Sequence, residues 1–161
     1  MSYDFTQINI NFYVSKPITF QSYSGFAVRG LFYTILKDVN KSLAEQLHQS
    51  KKLACYAVKA IIDVSEKPER IAFDKLNKEH EYRLSFIILN KDISRYIVKG
   101  LISRKLHQLK LLDTELEVTN VIVKQIKYKY FLDNAKPITK FEIKYLSPTY
   151  FRVSPKILLE T

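Results

Sequence analysis

Glycine is scarce in this chain, with only Gly25, Gly30 and Gly100 among 161 residues. No glycine-rich loop is available to wrap the phosphates of a nucleotide, which excludes a P-loop type of nucleotide hydrolysis. Cysteine is scarcer still. The single Cys55 rules out an internal disulfide, and no cysteine–histidine set has the spacing of a structural zinc site. No bound metal or other cofactor is expected. Long apolar runs are also missing: charges interrupt every stretch well before the roughly 18 residues a membrane helix needs, and MSYDFTQINI lacks the basic-then-apolar order of a signal peptide. A soluble, cytoplasmic protein without a membrane partner is the expectation. Acidic residues are in deficit as well, 16 Asp and Glu against 26 Lys and Arg, which leaves a formal charge of +10. An excess of this size favours polyanions, nucleic acid first and an anionic membrane surface second.

What the chain does have is apolar material for a core, 47% hydrophobic residues with 13% aromatics, in a length that fits one domain. Ile8, Ile10, Phe12 and Val14 alternate with polar residues and predict a first strand that Pro17 ends. Val28, Phe32, Ile35 and Leu36 then fall at helical spacing over residues 26–37. Gly30 lies inside that helix at a cost of about 1 kcal/mol relative to alanine, unless close packing requires it. Asn40 can cap a second, short helix carrying Leu43 and Leu47. Strands are predicted over residues 55–63 and 82–88, with residues 66–80 as a charged connection. Asp92 can cap a helix that runs to about residue 110. Residues 117–131 and 138–146 read as a final pair of strands, joined by a hairpin over residues 132–137.

The resulting order, strand, helix, strand, strand, helix, strand, is that of an α+β, ferredoxin-like βαββαβ domain with an antiparallel sheet and a carboxyl-terminal hairpin strand. That RRM-like architecture hosts enzymes, RNA-binding modules and regulators alike, so function must come from a site. The glycine-and-aromatic signature of an RNA-recognition motif is absent.

Three groups of residues carry chemistry. His48 follows Leu47 at a predicted helix end and is succeeded by Lys51 and Lys52. A histidine exchanges protons near neutral pH, and an adjacent ammonium can hold a phosphate or steady developing negative charge. The plainer alternative is a surface histidine attracted by the negative end of its helix. Tyr33 on the first helix can donate a hydrogen bond to a phosphate oxygen or simply pack. Lys127 and Lys129 alternate with Ile126, Tyr128 and Tyr130, as Lys140 and Lys144 do with Phe141, Ile143 and Tyr145. Paired strands would gather the four lysines into a basic face for a phosphate backbone, or into an ordinary solvated sheet face. His80 and His107 are expected as a loop residue and a helix-surface residue.

Three segments together resemble the amino-terminal half of the CRISPR-associated endoribonucleases of the RAMP superfamily, which process repeat RNA into guide RNA. They are SGFAVRGLFY from Ser24 to Tyr33, Leu47-His48 at a similar separation from Tyr33, and FEIKYLSPTYF from Phe141 to Phe151. The resemblance implies residues 1–146 as a ferredoxin-like domain and residues 147–161 as an exit segment toward a second domain. That second half, with its glycine-rich loop, has no counterpart here, since no glycine follows Gly100. A second domain or a second copy is therefore expected to dock, with Ile157, Leu158 and Leu159 as a contact.

The activity the resemblance implies is metal-independent. The ribose 2′-hydroxyl attacks its own 3′-phosphate and leaves a 2′,3′-cyclic phosphate, with His48 as general base or acid, Tyr33 positioning or protonating, and Lys51 or Lys52 stabilising charge. The implied partners are CRISPR repeat RNA and subunits of a CRISPR effector complex. Two other readings stay open: a non-catalytic RNA-binding subunit of such a complex, and an interaction domain whose strand edges pair with another subunit.

Overall fold

The structure is a computed structural model that describes residues 5–49, 55–103 and 108–142. Its first strand, β1 (Phe5–Val14), obeys the two-residue period throughout: Thr6, Ile8, Ile10, Phe12 and Val14 are buried and the residues between them are partly open. Then follow β2 (Ile18–Thr19), α1 (Ser24–Val39), α2 (Lys41–Gln49), β3 (Tyr56–Val58), β4 (Ile62–Asp63), β5 (Arg70–Ile71) and β6 (Lys75–Leu76). β7 (Tyr82–Ile88), α3 (Lys91–Ser103), β8 (Lys110–Leu111), β9 (Thr114–Ile126) and α4 (Tyr128–Asp133) complete the described elements.

β1 lies at the centre, antiparallel to β7 on one side and to β9 on the other. β3 and β4 both pair with β7, so together they serve as the second strand of a βαββαβ unit. Counting them as one gives the order second, third, first, fourth, which is the ferredoxin-like sheet expected from the sequence. Residues Ile8, Ile10 and Phe12 of β1 meet Val28, Phe32, Ile35 and Leu36 of α1 and Ile93, Ile97 and Leu101 of α3 in one core. The two helices approach closely because Gly100 leaves room. A Cβ there would stand 2.7 Å from Ile35 Cγ2 and 3.1 Å from the Ile35 carbonyl oxygen.

Local signals explain the helix starts. Asn40 Oδ1 accepts from Leu43 N at 3.0 Å, the cap read from the sequence. For α3 the cap is Asn90, whose Oδ1 accepts from Asp92 N and Ile93 N at 2.9 and 3.0 Å, so Asp92 is a first-turn residue. The expected strand over 55–63 is broken in two. Ala60 and Ile61 are both buried, which interrupts alternation, and Ile61 N bonds to Ser24 Oγ at 3.3 Å.

The largest departure concerns the lysine face. β9 stops at Ile126 because its partner β1 stops there, Phe5 pairing with Ile126. The chain then turns into α4, whose Phe131 packs edge-on against Phe5 with ring centroids 5.6 Å apart. Residues 138–142 form no strand, so the hairpin expected to align Lys127 and Lys129 with Lys140 is not there. Lys144, residues 143–146 and the exit segment 147–161 lie outside the described residues. No helix among the described residues is long and apolar enough to cross a membrane.

Candidate functional site

α1 runs with Val28, Leu31, Phe32, Ile35 and Leu36 buried against the sheet, which turns Arg29, Tyr33 and Lys37 outward, one helical turn apart. Asn40 then ends α1 and caps α2, folding the second helix back beside the first. That tight return places His48, at the end of α2, against Tyr33, with the rings in an edge-on arrangement and centroids 5.4 Å apart. Between them opens a cleft of about 280 Å³, lined by Tyr33, Thr34, Lys37, Ala44, Glu45 and His48. Glu45 is offset by Lys41, whose Nζ lies 3.9 Å away.

The other side of Tyr33 is built from β3. Tyr56 stacks on Phe32 with centroids 4.4 Å apart, and its hydroxyl donates to Tyr33 Oη at 2.7 Å. Burial pushes the Tyr56 phenol up to about 12, reinforced by its hydrogen bond and charge interaction with Tyr33. Tyr56 thus stays protonated and keeps donating. Tyr33, accepting from Tyr56, retains its own proton for an acceptor in the cleft. The Arg29 guanidinium sits 5.7 Å from the centroid of the Tyr33 ring. Its pKa is raised, the hydrogen-bonding influence of Tyr33 outweighing the effect of burial. A proton-transfer group, a phenol donor and two flanking cations thus share one wall of the fold, an arrangement suited to a phosphodiester.

Of the residues singled out by sequence, Tyr33 and His48 are brought together, and Lys51 and Lys52 lie outside the described residues. Lys127, Lys129 and Lys140 are exposed, but they are not aligned on a sheet, and Lys129 pairs with Asp133 at 3.0 Å. Sequence reasoning missed Arg29, Lys37 and Tyr56. The first two were legible as i±4 neighbours of Tyr33, whereas Tyr56 reaches it through a contact 23 residues away in the chain.

A different cluster lies at the far end of β7, where Asp63 pairs with Tyr82 rather than Tyr56 with Ile88. Asp63, Glu66 and His80 bring possible ligand atoms within 4.8 Å of one another. The group is organised internally: His80 Nδ1 donates to Asp63 Oδ2 at 2.6 Å, and Asp63 Oδ1 accepts from Ser65 N at 3.0 Å. His80 also stacks on Tyr82, so it is an anchored residue and not the solvated loop histidine expected.

No family model matches the sequence, and no curated protein matches it either. Solved structures do match. A Cas6 product complex aligns with a TM-score of 0.56 at 18% identity, covering 76% of this chain and 40% of that one. A Cas6-related protein from Pyrococcus furiosus aligns with a TM-score of 0.56 at 16% identity, covering 76% and 49%. A chain of the Csm3–Csm4 subcomplex of a type III-A CRISPR-Cas interference complex aligns at 0.52 and 12% identity, covering 83% of this chain and 86% of that one. The chain therefore has the ferredoxin-like fold of CRISPR RAMP proteins. It spans 40% and 49% of the two Cas6-type chains.

Proposed function

We propose that this RAMP-type domain binds CRISPR repeat RNA and that the cleft between α1 and α2 cuts it without a metal ion. The observation that carries the reading is the convergence of Tyr33 and His48, 15 positions apart in sequence, at 5.4 Å between ring centroids. His48 takes the proton of a ribose 2′-hydroxyl. The freed oxygen attacks the adjacent phosphorus, the bond from phosphorus to the 5′-oxygen breaks, and the leaving oxygen takes a proton from protonated His48. The products are a 2′,3′-cyclic phosphate and a 5′-hydroxyl. Tyr33 donates to a non-bridging oxygen with the proton that Tyr56 leaves to it, and Arg29 and Lys37 stabilise the negative charge that gathers on the phosphorane. Lys51 or Lys52, next to His48 in sequence, supplies a further cation on this reading. Lys127, Lys129, Lys140 and Lys144 add more distant attraction for the phosphate backbone.

The test is chemical. Cleavage should persist in EDTA and stop when a single 2′-deoxy nucleotide precedes the scissile bond. Cleavage that survives the 2′-deoxy substitution would exclude internal attack.

One observation favours a second reading, a non-catalytic RNA-binding subunit of a CRISPR ribonucleoprotein. The Csm3–Csm4 match spans most of both chains, whereas the Cas6-type matches span less than half of theirs. Tight, salt-sensitive RNA binding with intact RNA recovered would select it.

A further inference from the structure

Gly30 is the one residue of α1 whose presence packing does not explain. A Cβ built there meets nothing within 4 Å, in contrast to Gly25 and Gly100, where neighbours crowd the position. An exposed glycine inside a helix weakens it relative to alanine, and here no close approach of another element offsets that loss. What Gly30 does provide is bare backbone on the wall of a second cleft, of about 950 Å³, on the side of α1 away from His48.

The same cleft presents two large exposed aromatics. Phe26, one turn before Gly30, is 65% exposed, and Tyr23 is 40% exposed. Isolated apolar side chains on a surface are ordinary, but two aromatics on one concave wall beside bare backbone are not scattered. Across from them stand Gln21, Gln108 and Lys110, side chains able to donate hydrogen bonds, the glutamines also to accept them. The two clefts meet at Thr34, which lines both. Phe26, Gly30 and Thr34 thus form a row at i, i+4, i+8 beside the row Arg29, Tyr33, Lys37. The double row covers roughly 16 Å of helix at 1.5 Å per residue. One row carries cations and the phenol; the other carries an aromatic, a gap and a hydroxyl.

Resting on the reading of this chain as an RNA binder, we infer that the cleft beyond Thr34 receives an unstacked base of the RNA strand, laid on Phe26 over the bare backbone of Gly30. The strand runs along α1, its phosphates beside Arg29 and Lys37. The base next to the phosphate held by Tyr33 and His48 turns into the larger cleft. Recognition of this kind uses a flat aromatic face for stacking and amide side chains for the base edge. A bulky residue in place of Gly30 would occupy the space of the base.

The experiment is fluorescence anisotropy of the 161-residue chain with a fluorescein-labelled pool of 12-nucleotide RNAs of random sequence, at several salt concentrations. Gly30→Ala should raise the Tm by about 2–4 °C through helix propensity. Gly30→Leu should remain folded and bind RNA about tenfold more weakly. Phe26→Ala should also weaken binding about tenfold with an unchanged salt slope, because stacking and not a phosphate contact is lost. Phe26→Trp should bind as the wild type does. Wild-type affinity in both Gly30→Leu and Phe26→Ala would overturn this inference alone. So would a flattened salt slope in Phe26→Ala. A wild-type chain that binds no RNA would overturn the reading on which the inference rests as well.

Discussion

The hydroxyl of Tyr56 donates to that of Tyr33 at 2.7 Å, so a residue of the sheet fixes the phenol of the helix and decides where its proton points. Removing only that donor should leave the stack of Tyr56 on Phe32 intact. Tyr56→Phe is therefore expected to slow single-turnover cleavage about fivefold, in keeping with one neutral hydrogen bond of about 1 kcal/mol, with RNA affinity unchanged. Equal losses of affinity and rate would mean that Tyr56 acts by shaping the binding surface.

The two helix glycines of opposite setting give a stability contrast. At Gly100 an added methyl would press on the Ile35 carbonyl at 3.1 Å, a backbone atom that cannot rotate away, and on Ile35 Cγ2 at 2.7 Å. Gly100→Ala should destabilise by roughly 1–3 kcal/mol in urea unfolding despite the better helix propensity of alanine. A neutral or stabilising result would show that α3 stands farther from α1 than described.

His80 makes stability depend on pH. Its pKa is raised in the folded protein, chiefly by the hydrogen bond to Asp63, against desolvation and with help from the charges of Asp63, Glu66 and Glu79. The sign follows from linkage. The stabilisation is complete below the unfolded value of 6.5 and is lost as pH rises through the higher folded value. Wild-type Tm should therefore decline between about pH 6 and pH 8.5 more than that of His80→Ala. Parallel curves for the two proteins would remove His80 from the account.

Charge near the cleft and charge on the far segment should separate in a salt titration. Arg29→Gln and Lys37→Gln are each expected to lower the slope of log affinity against log salt by about one, as for single phosphate contacts. The triple change at Lys127, Lys129 and Lys140 tests the distant surface. A larger drop from the triple change than from the Arg29 and Lys37 pair would place the RNA along α4.

The framework was legible because β1 and β7 bury one face and α1 buries one stripe, so composition alternates with the right period. Asn40 announced the turn that brings His48 to Tyr33. The end of β9 was not legible, since QIKYKY alternates as a strand should. What stops it is the end of its partner at Phe5, a tertiary fact that no local pattern carries. Tyr56 was hidden for the same reason: its period announced a strand, but not which helix residue its hydroxyl would meet. The small pieces β2 and β6 pair with each other across 56 positions or more, and two-residue strands leave no period to read.

The central claim is that the Tyr33–His48 cleft is the place where RNA is cut, and the direct measurement is the single-turnover rate and RNA affinity of His48→Ala beside the wild type in EDTA. The rate should fall about 100-fold or more while the affinity stays within about twofold, with wild-type products ending in a 2′,3′-cyclic phosphate. A His48→Ala protein that cuts at the wild-type rate would contradict the claim, and a wild-type protein that binds RNA and never cuts it would leave the non-catalytic subunit in its place.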